Sequence, residues 1–179
     1  SSDLTQSGST TTNLTANSFS RTGYSFGGWG TVTDTTTVAY ANQAPYPFTS
    51  AITLYAIWTI NTYTITLTPT TANGSVGSSP AGITGCATAN VACVGTYNYS
   101  TSVTLTATPS ANYKVNAWTG ACSGSALTCS LSMTENKVVG ISYVATYTVT
   151  LGTLTNAGTG TILIDTSPAT AASTITLTI

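Results

Sequence analysis

The sequence predicts an all-β or β-rich protein built from small tandem modules. Apolar and polar residues alternate along several segments, and this is the period of a half-buried strand. No apolar stripe with helical spacing persists for a dozen residues, and turn-forming residues are frequent. Two motifs also recur at a long interval, which indicates a repeated structural unit.

The first repeated motif reads Thr-Tyr-Thr-apolar-Thr-Leu and begins at Thr62 and again at Thr146, about 84 residues later. Common solenoid repeats have periods of ~20–50 residues, so this interval suits small tandem domains better. The second motif reads Tyr-x-apolar-x-small-Trp. Its large side chains are predicted to pack in the cores of their modules, and they are Tyr24, Phe26, Trp29, Tyr113, Val115 and Trp118.

Alternation predicts several individual strands. Segment 62–68 places Tyr63, Ile65 and Leu67 on one face and only threonine on the other. Threonine suits the exposed face of a strand because its β-branch fits the pleated backbone. The same pattern predicts strands over 101–108, 139–143 and 173–179. Asn73-Gly74 predicts a tight hairpin after the first of these strands, since both residues accept positive φ.

The repeats divide the chain into three parts. Residues 1–60 form a first module in which no Thr-Tyr-Thr opening strand precedes the Trp motif. Residues 61–145 form a complete module, and residues 146–179 supply the opening strands of a third. We expect these last strands to complete a neighbouring subunit. A segment cut from a longer array would also begin and end inside a module in this way. The apolar residues of these possible assembly strands are Tyr147, Val149, Leu151, Ile175, Leu177 and Ile179.

The four cysteines lie in two Cys-x6-Cys pairs within the complete module. An even, paired set predicts disulfides in an exported protein, whereas structural zinc sites favour closer spacing within each pair. Four cysteines allow three connectivities, and sequence alone does not decide among them. We favour the local pairs Cys86–Cys93 and Cys122–Cys129, while crossed pairing would join the two loops to each other.

Composition excludes most other functions. Only 4% of the residues are charged and histidine is absent, so general acid–base or nucleophilic catalysis has no obvious base. We therefore expect no enzyme activity, no catalytic residue, no cofactor and no metal site. Three basic residues are too few for nucleic-acid binding. The longest apolar runs are far shorter than the ~20 residues of a membrane helix, so no membrane insertion is expected.

Residues 14–60 resemble the internalin-type B-repeat, also called the Listeria–Bacteroides repeat. The resemblance rests on Arg-Thr-Gly-Tyr-x-Phe-x-Gly-Trp, which ends at Trp29, and on Thr-Leu-Tyr-Ala-x-Trp, which ends at Trp58. Residues 62–145 resemble a divergent bacterial relative of that repeat through Ser-Ser-Pro-Ala-Gly-Ile, Ser-Val-Thr-Leu-Thr-Ala-Thr-Pro and Ala-Trp-Thr-Gly-Ala-Cys-Ser-Gly. The resemblance implies small β-grasp-like modules in tandem on bacterial surface and secreted proteins, without catalytic residues.

Two functions fit this sequence. The first is a structural extracellular protein, a subunit or stalk segment of a bacterial fibre, filament or sheath that uses copies of itself as partners. Low net charge promotes such association, and unpaired strand edges offer a route to it. The second is an adhesin or carbohydrate-binding array that recognises glycans or host surface ligands, in which tryptophan and tyrosine would stack on sugars.

Overall fold

The computed structural model describes residues 11–147, and these residues form strands without a helix. The predicted all-β class is therefore confirmed. The described residues up to Thr146 belong to one compact unit. Because there is no helix in 11–147, there is also none here that could span a membrane.

The first module contains two small antiparallel sheets. Strand β1 (Thr12–Asn13) pairs with β3 (Pro45–Tyr46), and β2 (Tyr24–Gly30) pairs with β4 (Tyr55–Ile60). The β2–β4 pair carries the Trp motif on one strand and the closing segment of the module on the other. A bulge at Gly27 interrupts the pairing, so that Phe26 lies opposite Trp58 and Trp29 lies opposite Ala56.

The second module contains a larger sheet of four strands in the order β7-β5-β11-β9. Its central pair, β5 with β11, is parallel, and the outer two pairings are antiparallel. A second sheet has the order β10-β8-β6 with antiparallel pairings. The strands are β5 (Thr62–Pro69), β6 (Gly74–Ser79), β7 (Cys93–Asn98), β8 (Ser102–Pro109), β9 (Tyr113–Gly120), β10 (Thr128–Ser132) and β11 (Lys137–Ala145).

One buried cluster joins the two sheets of the second module. The alternation predicted for 62–68, 101–108 and 139–143 is confirmed, because the apolar positions of all three strands point into this cluster. Complete or nearly complete burial of seven aliphatic side chains supplies most of its apolar contact, and these are Ile65, Leu67, Val76, Val103, Leu105, Val139 and Ile141. The strand predicted over 173–179 lies outside the described residues.

The hairpin predicted at Asn73-Gly74 is wrong. Strands β5 and β6, which flank it, belong to different sheets, and β6 pairs with β8 instead. Gly74 begins β6 directly under Tyr143, where an added Cβ would lie 2.5 Å from the ring carbon Cζ. The chain does change direction at these residues. However, burial of the β6 side chains between the two sheets favours pairing of β6 with β8 rather than with β5.

The disulfides are Cys86–Cys93 and Cys122–Cys129, and each closes a local loop. The first loop is fixed by Cys86, whose backbone exchanges hydrogen bonds of 2.9 and 3.0 Å with Val76. The second loop covers the Trp motif, because Gly124 accepts a 2.7 Å hydrogen bond from the Trp118 backbone. Both bridges therefore hold irregular chain against the core rather than joining the two loops.

The two modules share details beyond their sequence motifs. The turn before the Trp motif is closed by Tyr24 N to Arg21 O in one module and Tyr113 N to Ser110 O in the other, both at 3.0 Å. The third residue of each turn has positive φ, 77° at Gly23 and 63° at Asn112. Strand β9 also pairs with β11 across a bulge placed like that of β2. These matches fix which positions in the two modules are equivalent.

Candidate functional site

The closing strand is paired differently in the two modules. In the second module β11 lies between β9 and β5, so both of its edges are hydrogen-bonded. In the first module, among residues 11–147, β4 pairs only with β2. Within residues 11–147 its other edge has no partner strand, so the backbone N–H and C=O groups there are available to an added strand.

Equivalent positions identify the residues along this open edge. Trp29 faces Ala56 across the β2–β4 pair, as Trp118 faces Ile141 across the β9–β11 pair. Counting back along both closing strands, Leu54 corresponds to Val139. In the second module, Val139 and Ile141 are 0% and 1% exposed because β5 and the second sheet cover them.

The corresponding part of the first module is uncovered. Leu54 and Ala56 are half-buried, and Ile52 and Tyr55 are 41% and 38% exposed. Beside them lies a groove of about 420 Å³. Its lining is mainly aromatic and aliphatic, with one cation, and consists of Phe19, Ser20, Arg21, Trp29, Leu54, Tyr55, Ala56 and Trp58. The position that holds a core in the second module is thus an open groove in the first.

The aromatic side chains of the groove are held in place by edge-to-face packing. Phe26 lies between the two tryptophans, with ring centroids 5.0 Å from Trp29 and 5.7 Å from Trp58. Phe19 approaches Trp29 from the groove side at 6.2 Å. The guanidinium carbon of Arg21 lies 3.7 Å from the centre of the Tyr24 ring, a cation–π contact that fixes this charge beside the groove.

Trp29 has an unusual polar environment. Its indole Nε1 is buried and has no hydrogen-bond acceptor among the described residues. An unpaired buried donor costs about 1–3 kcal/mol, and such groups often mark a place where a partner is missing. The wall of the groove is therefore less complete than the equivalent wall in the second module.

The residues predicted for the cores are placed as follows. Val115 and Trp118 are each 3% exposed within the buried cluster, and Tyr113 is partly buried against it. The residues of the first module, Tyr24, Phe26 and Trp29, are only half-buried, and Trp29 lines the groove. Among the predicted assembly residues, Tyr147 is 59% exposed. Five others lie outside the described residues, and they are Val149, Leu151, Ile175, Leu177 and Ile179.

Sequence reasoning missed the groove itself. The missing opening strand indicated that the first module is incomplete. It did not identify Phe19, Leu54 or Tyr55 as residues that line a groove. Aligning the closing strands residue by residue supplies the signal, because Leu54 then occupies a position that is fully buried in the other module.

The charged side chains of the described residues are scattered, and the ion pair found among them joins exposed Glu135 to Lys137 at 2.6 Å. The pKa of Glu135 is lowered by its hydrogen bond and charge interaction with Lys137. No group of three His, Cys, Asp or Glu side chains occurs close together in this part of the chain. What the groove presents is apolar surface beside free backbone hydrogen-bonding groups.

Two family models match the chain, one for each module. The Listeria-Bacteroides repeat domain matches residues 2–57, and the Divergent InlB B-repeat domain matches residues 63–150. Comparisons with curated proteins and with solved structures gave no match. Repeats of these families occur in bacterial surface and extracellular proteins and are typically non-enzymatic. The chain therefore carries two B-repeat-type modules in tandem, one similar to the Listeria-Bacteroides repeat domain and the next to the Divergent InlB B-repeat domain.

Proposed function

We propose that this chain is a structural segment of an exported bacterial fibre, stalk or sheath, joined head to tail by strand complementation. The observation that carries the proposal is the open edge of β4, since the equivalent edge of β11 is filled by β5. A groove lined by Leu54 and Trp58 lies beside that edge. A strand added there would satisfy backbone groups and cover apolar surface at once.

The junction between the modules supports a load-bearing role. Strands β4 and β5 are separated by Asn61 alone, and hydrogen bonding continues through it. Its N–H donates to Gly23 O at 2.9 Å, and its carbonyl accepts from Tyr99 N at 2.8 Å. The Tyr99 ring lies so close to Gly23 that an added Cβ would overlap it. A junction of this kind transmits force along paired strands rather than through a flexible linker.

The same junction geometry recurs at the end of the second module. Thr146 N donates to Asn112 O at 2.7 Å, as Asn61 N does to Gly23 O. Thr146 is itself the first residue of the recurring opening motif, whereas in the first junction that motif begins at Thr62, one residue after Asn61. A fibre made by repeating this connection would have one closing strand running into the next opening strand at every joint.

The surface suits association over a wide range of conditions. The described residues contain only five charged side chains, Arg21, Asp34, Lys114, Glu135 and Lys137. The outer face of the β10-β8-β6 sheet carries none of them. Its central strand, β8, presents Thr104, Thr106 and Thr108 there. Low net charge leaves little electrostatic repulsion between copies.

Electron microscopy of the purified chain tests the proposal. We expect filaments from the full chain and none from a variant that lacks residues 146–179. Far-UV circular dichroism of both proteins controls for folding of the two modules. Normal filaments from the shortened variant would show that strand complementation by this segment is wrong.

A second function, an adhesin or carbohydrate-binding module, is favoured by one observation. The groove exposes aromatic rings of the kind that stack on sugars, and Phe19 and Tyr55 are 50% and 38% exposed. A glycan array probed with the variant lacking residues 146–179 tests this function, because its groove is free. Binding that is lost in Trp58→Ala would support the adhesin. Absence of binding to any glycan would leave the structural role as the better account.

A further inference from the structure

We infer that the groove beside β4 binds residues 148–153 of a second copy of this chain, as a parallel strand in one defined register. This inference rests on the proposed function and identifies its partner segment. In the predicted register Val149 lies opposite Ile52, and Leu151 lies opposite Leu54. The paired strands β5 and β11 of the second module serve as the template for this joint.

The register comes from the pairing of β5 with β11. There Ile65 lies opposite Lys137, and Leu67 lies opposite Val139, with the strands parallel. The opening motif that begins at Thr62 recurs from Thr146, so Val149 takes the place of Ile65. The closing strand of the first module places Ile52 where the second has Lys137.

The side chains of the incoming segment suit the two faces of this site. In β5 the apolar residues Ile65 and Leu67 are fully buried, and the intervening Thr66 is half-buried on the opposite face. The period of two in a strand then directs Val149 and Leu151 towards the groove and Thr150 away from it. Neither the segment 146–153 nor the edge 52–56 contains a charge that would have to be buried.

Chain length indicates that the segment comes from a second copy. β11 runs parallel to β5 with Ile141 opposite Pro69, so Ala145 lies beyond the Pro69 end of β5. Ile52 lies at the other end of the run, before β4. Strand β5 (Thr62–Pro69) alone spans about 26 Å at ~3.3 Å per residue, and Ile52 precedes it by ten residues. The four residues from Ala145 to Val149 reach about 14 Å at most, so they cannot return to Ile52 of their own chain.

Cysteine trapping between separately purified variants tests both the register and the partner. The chain has no free cysteine, so Thr53→Cys and Thr150→Cys each introduce one thiol. These positions correspond to Val138 and Thr66, which lie opposite each other, and Val138 is 67% exposed. Substitution there should leave the groove intact. Directly opposed residues have Cα atoms about 4.8 Å apart, within the range that a disulfide bridges.

The matched control replaces Thr150→Cys with Thr148→Cys. This change keeps the thiol on the same face but moves it two residues along, to about 8 Å from its partner, beyond the reach of a disulfide. After mild oxidation, we expect a covalent dimer of the 18.1 kDa chains on a non-reducing gel from the Thr53→Cys and Thr150→Cys mixture. The control mixture should give only the background seen with each variant alone.

The outcomes separate this inference from the proposed function. Equal cross-linking in both mixtures overturns the register. An absence of cross-links in preparations that form filaments overturns it too. In either case the proposal of a fibre stands. A double variant, Thr53→Cys with Thr150→Cys, that cross-links only within single chains overturns the second-copy partner. Absence of filaments and of cross-links together overturns the proposed function itself.

Discussion

The indole Nε1 of Trp118 donates a 2.7 Å hydrogen bond to the carbonyl oxygen of Ala126. Ala126 lies inside the loop closed by Cys122 and Cys129, so the disulfide loop supplies the acceptor. Trp29 occupies the equivalent place in the first module but has no such loop, and its Nε1 finds no acceptor within residues 11–147. Two copies of one motif therefore differ in how completely their tryptophan is enclosed.

Replacement of each tryptophan by phenylalanine should show this difference. Trp118→Phe removes a hydrogen bond worth about 1 kcal/mol, whereas Trp29→Phe removes an unpaired donor whose burial costs about 1–3 kcal/mol. Trp118 is 3% exposed and Trp29 is only half-buried, so Trp118→Phe also loses more buried apolar area. We therefore expect Trp118→Phe to be the more destabilising by about 2 kcal/mol. Urea unfolding followed by far-UV circular dichroism measures the two free energies, and equal losses would contradict this account of Trp29.

The two disulfides should stabilise the second module to a similar extent but affect Trp118 differently. In the chain-entropy model, a loop of about eight residues contributes roughly 2.5 kcal/mol. Cys122→Ala with Cys129→Ala also frees the loop that covers Trp118, so its fluorescence should shift to the red. Cys86→Ala with Cys93→Ala is the matched control and should lower stability without that shift. A red shift in both variants would show that the loop over Trp118 does not depend specifically on the Cys122–Cys129 disulfide.

Alternation was enough to predict the strands whose two faces differ sharply. In β5, β8 and β11 one face meets the core and the other carries mainly threonine, serine or valine, so the period of two is clear. Pairing was not predictable in the same way. The parallel contact of Val139 with Leu67 joins residues far apart in sequence, and Asn73-Gly74 specifies a turn without specifying which sheet follows it.

The groove was beyond sequence reasoning for a related physical reason. Leu54 has the local pattern of a core residue, like Val139, and nothing in its neighbours indicates that one is covered and the other is not. Exposure at this position depends on whether a distant strand is present. Only the comparison of two folded modules shows the difference.

The stability of the chain should be nearly constant from about pH 5 to pH 9 and should fall above pH 10. Burial raises the pKa of Tyr143 above its usual 10.0, and its hydroxyl donates to Ser75 O at 3.1 Å. A raised folded-state pKa means that the stability from neutral Tyr143 is present below the unfolded-state value and is lost as pH rises through the folded-state value. Tm measured against pH should show this alkaline fall.

Tyr143→Phe provides the variant for this test. It should lose stability at neutral pH, because the hydrogen bond to Ser75 is gone, and show a shallower fall above pH 10. Tyr147→Phe is the control, since that side chain is 59% exposed and should leave the alkaline profile unchanged. Identical alkaline profiles for Tyr143→Phe and the unsubstituted protein would show that another group governs the fall.

Acid should have a small effect on the folding stability of the chain, and salt should have a small effect on its filaments. The pKa of Glu135 is lowered by Lys137, so the stability from this pair is present above the usual value of 4.5 and is lost as pH falls through the lower folded-state value. The Glu135 side chain is 72% exposed, so the interaction is screened by solvent and salt. Filaments should accordingly persist from low to high salt at neutral pH. Dissolution of the filaments by salt alone, monitored by light scattering, would contradict assembly through apolar and backbone contacts.

A charge placed in the groove should block assembly without unfolding the chain. Leu54 is half-buried beside the open edge, so Leu54→Glu can keep its carboxylate in water as long as the groove is empty. A strand seated on the groove would bury that carboxylate in a mainly apolar lining, which is unfavourable even though Arg21 offers one charge partner. We expect a folded protein by circular dichroism, with filaments lost in electron micrographs.

Two further variants make this result specific. Thr33→Glu adds the same charge on an exposed loop position away from the groove and should assemble normally. Val139→Glu places the charge at the equivalent position of the second module, where the side chain is 0% exposed, and should unfold that module. If Leu54→Glu unfolded the first module as Val139→Glu unfolds the second, the groove would be a closed core, and no strand from another copy could enter it. Normal filaments from Leu54→Glu would instead show that assembly proceeds through a different surface.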